Sequence, residues 1–308
     1  IIEMMTKEGR YPHGYAAAIT AASATIGPII PPSIPMVLYA LVSNQSIGYL
    51  FLGGILPGLL MGAVLMTMNG FIATRRGYQV EAPIPVRQLP GITFKATPAL
   101  LMPAILLYGI YGGLTTPTEA AAVAAIYALI LAAFFYRALR FSSLYDIFVE
   151  SARSSASVGM VIGGALVLNY VIASENIPTQ LATLLNGLDV SPIIFLLTVN
   201  LLLLLMGALL DATTIILVIL PLFLPSCREL GIDLIHFGVV AVINCMIGLI
   251  TPPYGVLLFV INAVTGIPLN HIVREIWPFL AVLVAALIAL IFMPELVLWL
   301  PREFGYKG

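Results

Sequence analysis

One acidic residue lies deep inside an otherwise uncharged run. Asp211 is the only charged residue between Val190 and Cys227. An ionisable group in such a run marks an ion or substrate path by default. Asp211-Ala212-Thr213-Thr214 also reads as a helix start with Asp211 at its N-cap, and the two roles can coexist. A second uncharged run is interrupted by Ile247-Gly248-Leu249-Ile250-Thr251-Pro252-Pro253, and a third by Ile26-Gly27-Pro28-Ile29-Ile30-Pro31-Pro32. A Pro-Pro pair cannot continue a helix, because each ring removes an N–H and crowds the preceding turn. The free carbonyls of a broken helix attract cations, and the N–H groups of a helix start attract anions. This is the chemistry of holding and releasing ions.

The two breaks belong to an internal repeat. An offset of 221 residues maps Ile26 onto Ile247, Pro31 onto Pro252 and Pro57 onto Pro278. One Gly-x-x-x-Pro-Pro is a weak signal, since proline kinks are ordinary. Two in register over tens of residues mark the binding region of a transporter built from repeats. The segment 192–226 adds a third element. As a straight helix it would run roughly 52 Å, against a hydrocarbon core of about 30 Å. A re-entrant hairpin turning near Asp211 resolves the excess. The second broken helix then runs opposite to the first, which makes the repeats inverted. The same offset carries Asp211 to a point before Ile1. The expectation is that Ile1–Glu8 is the tail of a first hairpin preceded by further membrane helices.

Composition supports a membrane setting. The chain has 308 residues, 61% hydrophobic and 9% charged, with a net charge of −1. Soluble domains carry roughly 25% charged residues. A solvated enzyme, a nucleic-acid binder and a disordered chain are excluded. There is no Asp, Glu, Lys or Arg between Arg10 and Arg75, room for two spans. Cys227 and Cys245 are too few for a disulfide scaffold, and Cys245 reads as a buried thiol. Thr116-Pro117-Thr118-Glu119 reads as a capped helix start, which explains Glu119 without an ion-coupling role. Trp277 and Trp299 read as interfacial anchors, and His13, His236 and His271 as interfacial histidines at helix ends.

The expected organisation follows from the charges. Residues 1–46 hold the end of a first hairpin and the first broken helix, and 47–74 a helix closing that repeat. Residues 75–97 form a cytoplasmic, proline-rich loop, and 98–175 further membrane helices. The second hairpin is 192–226, the second broken helix 235–265, and the last membrane helix 271–300. Arg75, Arg76, Arg87 and Lys95 place one loop inside, as Arg137, Arg140 and Arg153 do another. Glu175 and Asp189, without Lys or Arg, place 174–191 outside.

The stretch Gly14-Tyr15-Ala16 through Ile26-Gly27-Pro28-Ile29-Ile30-Pro31-Pro32-Ser33-Ile34-Pro35-Met36 resembles the large membrane subunit of TRAP (tripartite ATP-independent periplasmic) transporters. So do Thr115-Thr116-Pro117-Thr118-Glu119-Ala120, Leu210-Asp211-Ala212-Thr213, and His236-Phe237-Gly238 through Thr251-Pro252-Pro253-Tyr254-Gly255. The likeness covers essentially the whole chain, although the family's large subunit has over a hundred further residues in front. It implies an all-α polytopic membrane protein, an inverted-repeat elevator-type transporter with re-entrant hairpins and broken helices. It implies a bacterial or archaeal inner membrane and import of an organic acid of the C4-dicarboxylate or sialic acid type, driven by sodium (Na+). It also implies two partners: a small four-helix membrane subunit, separate or fused, and a periplasmic substrate-binding protein.

Within that resemblance, one Na+ site is expected at Asp211, Ala212 and Thr213 facing Gly248, Thr251 and Pro252. The other is expected at Ser23, Gly27 and Pro31, with Thr25 beside them. Ser23, Thr25, Asp211, Thr213 and Thr214 are the expected substrate contacts. The rival readings are an ion channel, which needs no alternating access, and an intramembrane enzyme. Asp146, Asp189 and Asp233 fall in loops and the three histidines share no face, which disfavours the enzyme.

Overall fold

The broken helices and the hairpin lie in the larger of two units. A computed structural model describes residues 1–6, 10–78, 85–139, 141–177, 180, 183 and 191–308. Lys7, Arg140 and Asp189, together with most of the 174–191 connection, lie outside the described residues. All regular structure among the described residues is helical. Among the described residues, six helices are long and apolar enough to cross a membrane. The chain is an all-α polytopic membrane protein.

One unit comprises Ile1–Gln79 with Gly164–Gly308, and the other Val80–Gly163. The first begins with the short α1 (Ile2–Thr6), followed by α2 (His13–Ala24), α3 (Ile34–Ser43) and α4 (Ile47–Arg75). The second contains α5 (Leu89–Tyr111) and α6 (Pro117–Ile130), which pack on each other. The helix α7 (Phe141–Ser174) starts in the second unit, and its residues from Gly164 belong to the first. The rest of the first unit is α8 (Pro192–Gly207), α9 (Ala212–Glu229), α10 (Leu234–Gly248), α11 (Val256–Thr265), α12 (Leu269–Phe292) and α13 (Glu295–Glu303).

The 221-residue offset reappears in the helices. It carries α2 onto α10 at its first residue, and α3 and α4 onto α11 and α12 to within two residues at their starts. Pro57 lies inside α4 and Pro278 inside α12. The peptide bonds Pro31–Pro32 and Pro252–Pro253 are both cis. Residues 2–6 of α1 map by the same offset onto 223–227, inside α9.

Packing follows the small residues. Between apolar helices in lipid, close backbone approach replaces the hydrophobic drive. Accordingly the alanine-rich α2 lies along α12, burying Ala16, Ala17, Ala18, Ala21 and Ala22. The helix α10 is buried at every one of its 15 residues, as a helix apolar on all sides must be. It is enclosed by α3, α4, α8, α9, α12 and α13.

Three boundaries differ from the sequence expectation. The polar loop is shorter, because α5 begins at Leu89 with Pro90 in its first turn. A proline there is tolerated because its missing N–H has no helical partner to lose. The helix α7 begins at residue 141 and takes in Arg153, which the charges had assigned to a loop. Its 34 residues run roughly 51 Å, so its polar first turns extend past the hydrocarbon. The segment 271–300 is two helices, parted at Met293 and Pro294. The second of these, α13, packs on α4.

Two side-chain expectations resolve differently. His236 is 3% exposed, and its Nε2 lies 2.9 Å from the Leu290 carbonyl oxygen. It is therefore a core histidine between α10 and α12, contrary to the expected interfacial role. Thr116 and Glu119 form the expected capping box, with the Thr116 N–H donating to the Glu119 carboxylate at 2.8 Å. Cys227 and Cys245 are both buried and unbridged.

Candidate functional site

The second break and the hairpin tip are built against each other. The helix α8 ends at Gly207, and residues 208–211 turn the chain. Asp211 takes extended backbone angles and caps α9. Its carboxylate accepts from the Thr214 N–H at 3.1 Å and from the Thr214 hydroxyl at 2.5 Å. The N-cap role is thus present. Asp211 itself is exposed, while Ala212, Thr213 and Thr214 are half-buried. The chain then enters a π turn over Ile215–Ile219. Such turns shift the carbonyl register and recur at functional sites. One carbonyl of this turn, Leu217, accepts from Asn169 Nδ2 at 2.8 Å.

Across from the tip, α10 ends at Gly248. Thr251 folds back on that end. Its hydroxyl donates to the Ile247 carbonyl at 2.8 Å and its N–H to the Gly248 carbonyl at 3.0 Å. Gly255 then restarts the chain at φ +40°, where an L side chain is strained. It opens α11 with no side-chain cap. Its N–H donates to the Ala208 carbonyl of the hairpin turn at 3.3 Å. The Leu257 N–H of the same helix start donates back across the break to the Leu249 carbonyl at 3.0 Å, so this start is satisfied in part by the hairpin and in part by the break itself.

Close approach explains the glycines. A Cβ added to Gly248 would lie 2.7 Å from the Gly207 Cα, and one added to Gly207 would lie 3.1 Å from the Gly248 Cα. Backbone meets backbone, and neither side has a flexible end that could yield. One and two turns further back, Asn244 Nδ2 donates to the Asn200 side-chain oxygen at 2.8 Å and to its main-chain oxygen at 2.6 Å. Asn200 Nδ2 in turn donates to the Leu196 carbonyl at 2.8 Å. Asn244 is fully buried, and its own Oδ1 has no partner among the described residues. The sequence reading did not single out this pair. Its only signal was an amide in each of two apolar runs.

The first break is organised differently. Thr25 is buried and its hydroxyl donates to the Ala22 carbonyl at 2.7 Å. The exposed Ser23 donates to the Thr20 carbonyl at 3.1 Å. Gly27 is exposed and Pro31 buried. Ser33 closes the break within its own segment: its hydroxyl donates to the Pro28 carbonyl and accepts from the Met36 N–H, capping α3. The segment sits on α4. A Cβ on Gly54 would lie 2.6 Å from the Ile29 carbonyl oxygen, and one on Gly58 would lie 2.5 Å from Ile30.

The structure thus brings Asp211, Ala212, Thr213 and Thr214 close to the Gly248, Thr251 and Pro252 break. It gathers Ser23, Thr25, Gly27 and Pro31 at the other break. Among the described residues no hydrogen bond joins the two groups. They are linked through α3, which packs against the opening turns of α9. No cluster of three or more His, Cys, Asp or Glu side chains able to hold a metal occurs among the described residues.

Comparison with known proteins places this arrangement. Residues 1–296 match the family described as the tripartite ATP-independent periplasmic transporter, DctM component. The chain belongs to the TRAP transporter large-permease family. The C4-dicarboxylate TRAP transporter large permease protein of Pseudomonas aeruginosa is 40% identical over 98% of this chain and 70% of its own length. The sialic acid TRAP transporter large permease protein of Vibrio cholerae is 38% identical over 97% of this chain and 70% of its own. The isethionate TRAP transporter permease protein of Oleidesulfovibrio alaskensis is 39% identical, with 96% of this chain matched to 46% of that protein. In this TRAP permease the two breaks and the hairpin tip are the features that lipid alone does not explain, because they carry the irregular backbone.

Proposed function

We propose that the chain is the transport-carrying part of a sodium-coupled importer of a small organic anion in a bacterial or archaeal inner membrane. The observation that carries this reading is the junction of hairpin tip and break, where the Gly255 N–H meets the Ala208 carbonyl. Carbonyls around a break can coordinate Na+, and the Asp211 carboxylate supplies negative charge beside them. Asp211, Ala212, Thr213, Gly248, Thr251 and Pro252 form one Na+ site in this proposal. Ser23, Gly27 and Pro31 form the other. Ser23, Thr25, Asp211, Thr213 and Thr214 contact the substrate.

The matched relatives are named for C4-dicarboxylate, sialic acid and isethionate. Carboxylate and sulfonate share an anionic group, which is what a helix N-terminus with Thr hydroxyls can hold. The substrate class proposed is therefore an organic acid, of the C4-dicarboxylate or sialic acid type. A periplasmic binding protein delivers it, and a small four-helix membrane subunit completes the complex. Movement is of the elevator type, with the hairpin and both breaks travelling together. The chain acts as a carrier, neither channel nor enzyme.

The test is uptake into proteoliposomes holding the complete complex with its binding protein. Saturable, concentrative uptake that requires an inward Na+ gradient is expected. Asp211→Ala and Thr251→Pro should each abolish it at normal expression. Ohmic current without saturation, or wild-type rates in both variants, would overturn the reading.

A further inference from the structure

We propose that the groove between α4 and α12 is a binding site for one anionic phospholipid, with one acyl chain in the groove and its headgroup at Arg75 and Arg274. The groove has a volume of about 600 Å³. It is lined from α4 by Leu60, Val64 and Phe71 and from α12 by Val282, Ala285 and Ala289, among others. Only Thr67 brings a polar side chain to its walls. Between Leu60 and Phe71 a helix rises roughly 16 Å. That is about half of a hydrocarbon core of about 30 Å. The groove therefore matches one leaflet and one acyl chain, whereas a docked transmembrane helix would need the full core.

One end of the groove is charged. Arg75 lies one turn beyond Phe71 on the same face of α4. Arg274 lies three turns before Ala285 on the same face of α12. An ion pair between Arg76 and Glu275, at 2.7 Å, holds those two helix ends side by side. Glu275 is thereby offset by Arg76, which leaves Arg75 and Arg274, both exposed, as the net positive charge at this end. Trp277, 54% exposed in the next turn of α12, marks the same level as an interface. The arginine-rich side is the cytoplasmic one by the positive-inside rule, and the cytoplasmic leaflet carries the anionic lipids. Apolar length, charge and leaflet agree.

The test is native mass spectrometry of the purified complex, taken from nanodiscs of phosphatidylcholine mixed with phosphatidylglycerol. The wild type should retain phosphatidylglycerol in preference to phosphatidylcholine. Arg75→Gln and Arg274→Gln should each lower retention about fivefold, and the pair about 30-fold. Ala285→Trp and Ala63→Trp point into the groove from exposed positions, and each should remove the bound lipid while the arginines and the melting temperature stay unchanged. Equal retention of the two lipids, or retention unaffected in the double arginine variant, would overturn the proposal. So would a photo-crosslinker at residue 63 that joins a helix of the small membrane subunit instead of lipid.

Discussion

The two breaks share a register and a proline pair, yet they are closed by different means. The first is closed from within. Ser33 bridges Pro28 and the start of α3, and glycines of α4 form the seat. The second is closed from within by the Leu257 N–H on the Leu249 carbonyl at 3.0 Å, and from outside as well. The N–H of Gly255 goes to Ala208 of the hairpin, and Gly248 presses on Gly207. The first break is held by its own segment and by α4. The second has bonds of its own but adds the hairpin as a neighbour, so a shift of the hairpin is felt at Gly248 and Gly255.

The largest effect expected from that difference is at Gly248. Gly248→Ala puts a methyl 2.7 Å from the Gly207 Cα and must push the hairpin off the break. Displacements of about 1 Å at a working site cost on the order of a hundredfold, and uptake rates in proteoliposomes should fall by that much. Gly54→Ala meets the Ile29 carbonyl oxygen at 2.6 Å. It should move the first break and lower uptake, while leaving cysteine crosslinks between the hairpin turn and the exposed position 254 intact. Equal loss of those crosslinks in both variants would erase the distinction.

The amide pair comes next. Asn200→Leu alone removes the side-chain acceptor of the buried Asn244 amide and leaves it the main-chain oxygen of residue 200; it should destabilise by about 1 kcal/mol, read as a lower melting temperature in detergent. Asn200→Leu with Asn244→Leu removes both polar groups and should recover most of that loss. A double variant as unstable as the sum of the singles would assign the pair a role other than mutual satisfaction.

Effects no larger are expected at the caps. Ser33→Ala removes a side-chain cap and should cost about 1 kcal/mol in stability. Asp211→Asn keeps an acceptor for the Thr214 N–H but loses the charge, so its melting temperature should stay within a degree or two of wild type while Na+ dependence weakens. A drop in melting temperature with unchanged Na+ dependence would make Asp211 a cap only.

The breaks were legible because proline announces itself chemically and the offset could be checked at Pro57 and Pro278. The hairpin was legible from length, since a segment of 35 residues with Asp211 as its single charge is too long for one span. The partner of the second break was less so. Nothing in Gly207 or Gly248 alone says that they touch, because a pattern along one helix carries no information about its neighbour. Asn200 and Asn244 were passed over for the same reason: a single amide in an apolar run is common, and only their pairing is informative. His236 was misplaced because its position at a helix start looks interfacial until α12 is laid over it. Pro294 was overlooked because the apolar run resumes directly after Glu295, at Leu296-Val297-Leu298.

The enclosure of α10 bears on how this protein is made. At 15 residues the helix rises only about 22 Å, too short to cross a bilayer alone. Two of the walls around it, α12 and α13, are synthesised after it. During translation α10 therefore waits in a half-built socket, and its final environment arrives only with α12 and α13. A ribosome stalled before residue 269 would expose that socket, giving membrane quality control a marker of unfinished chains.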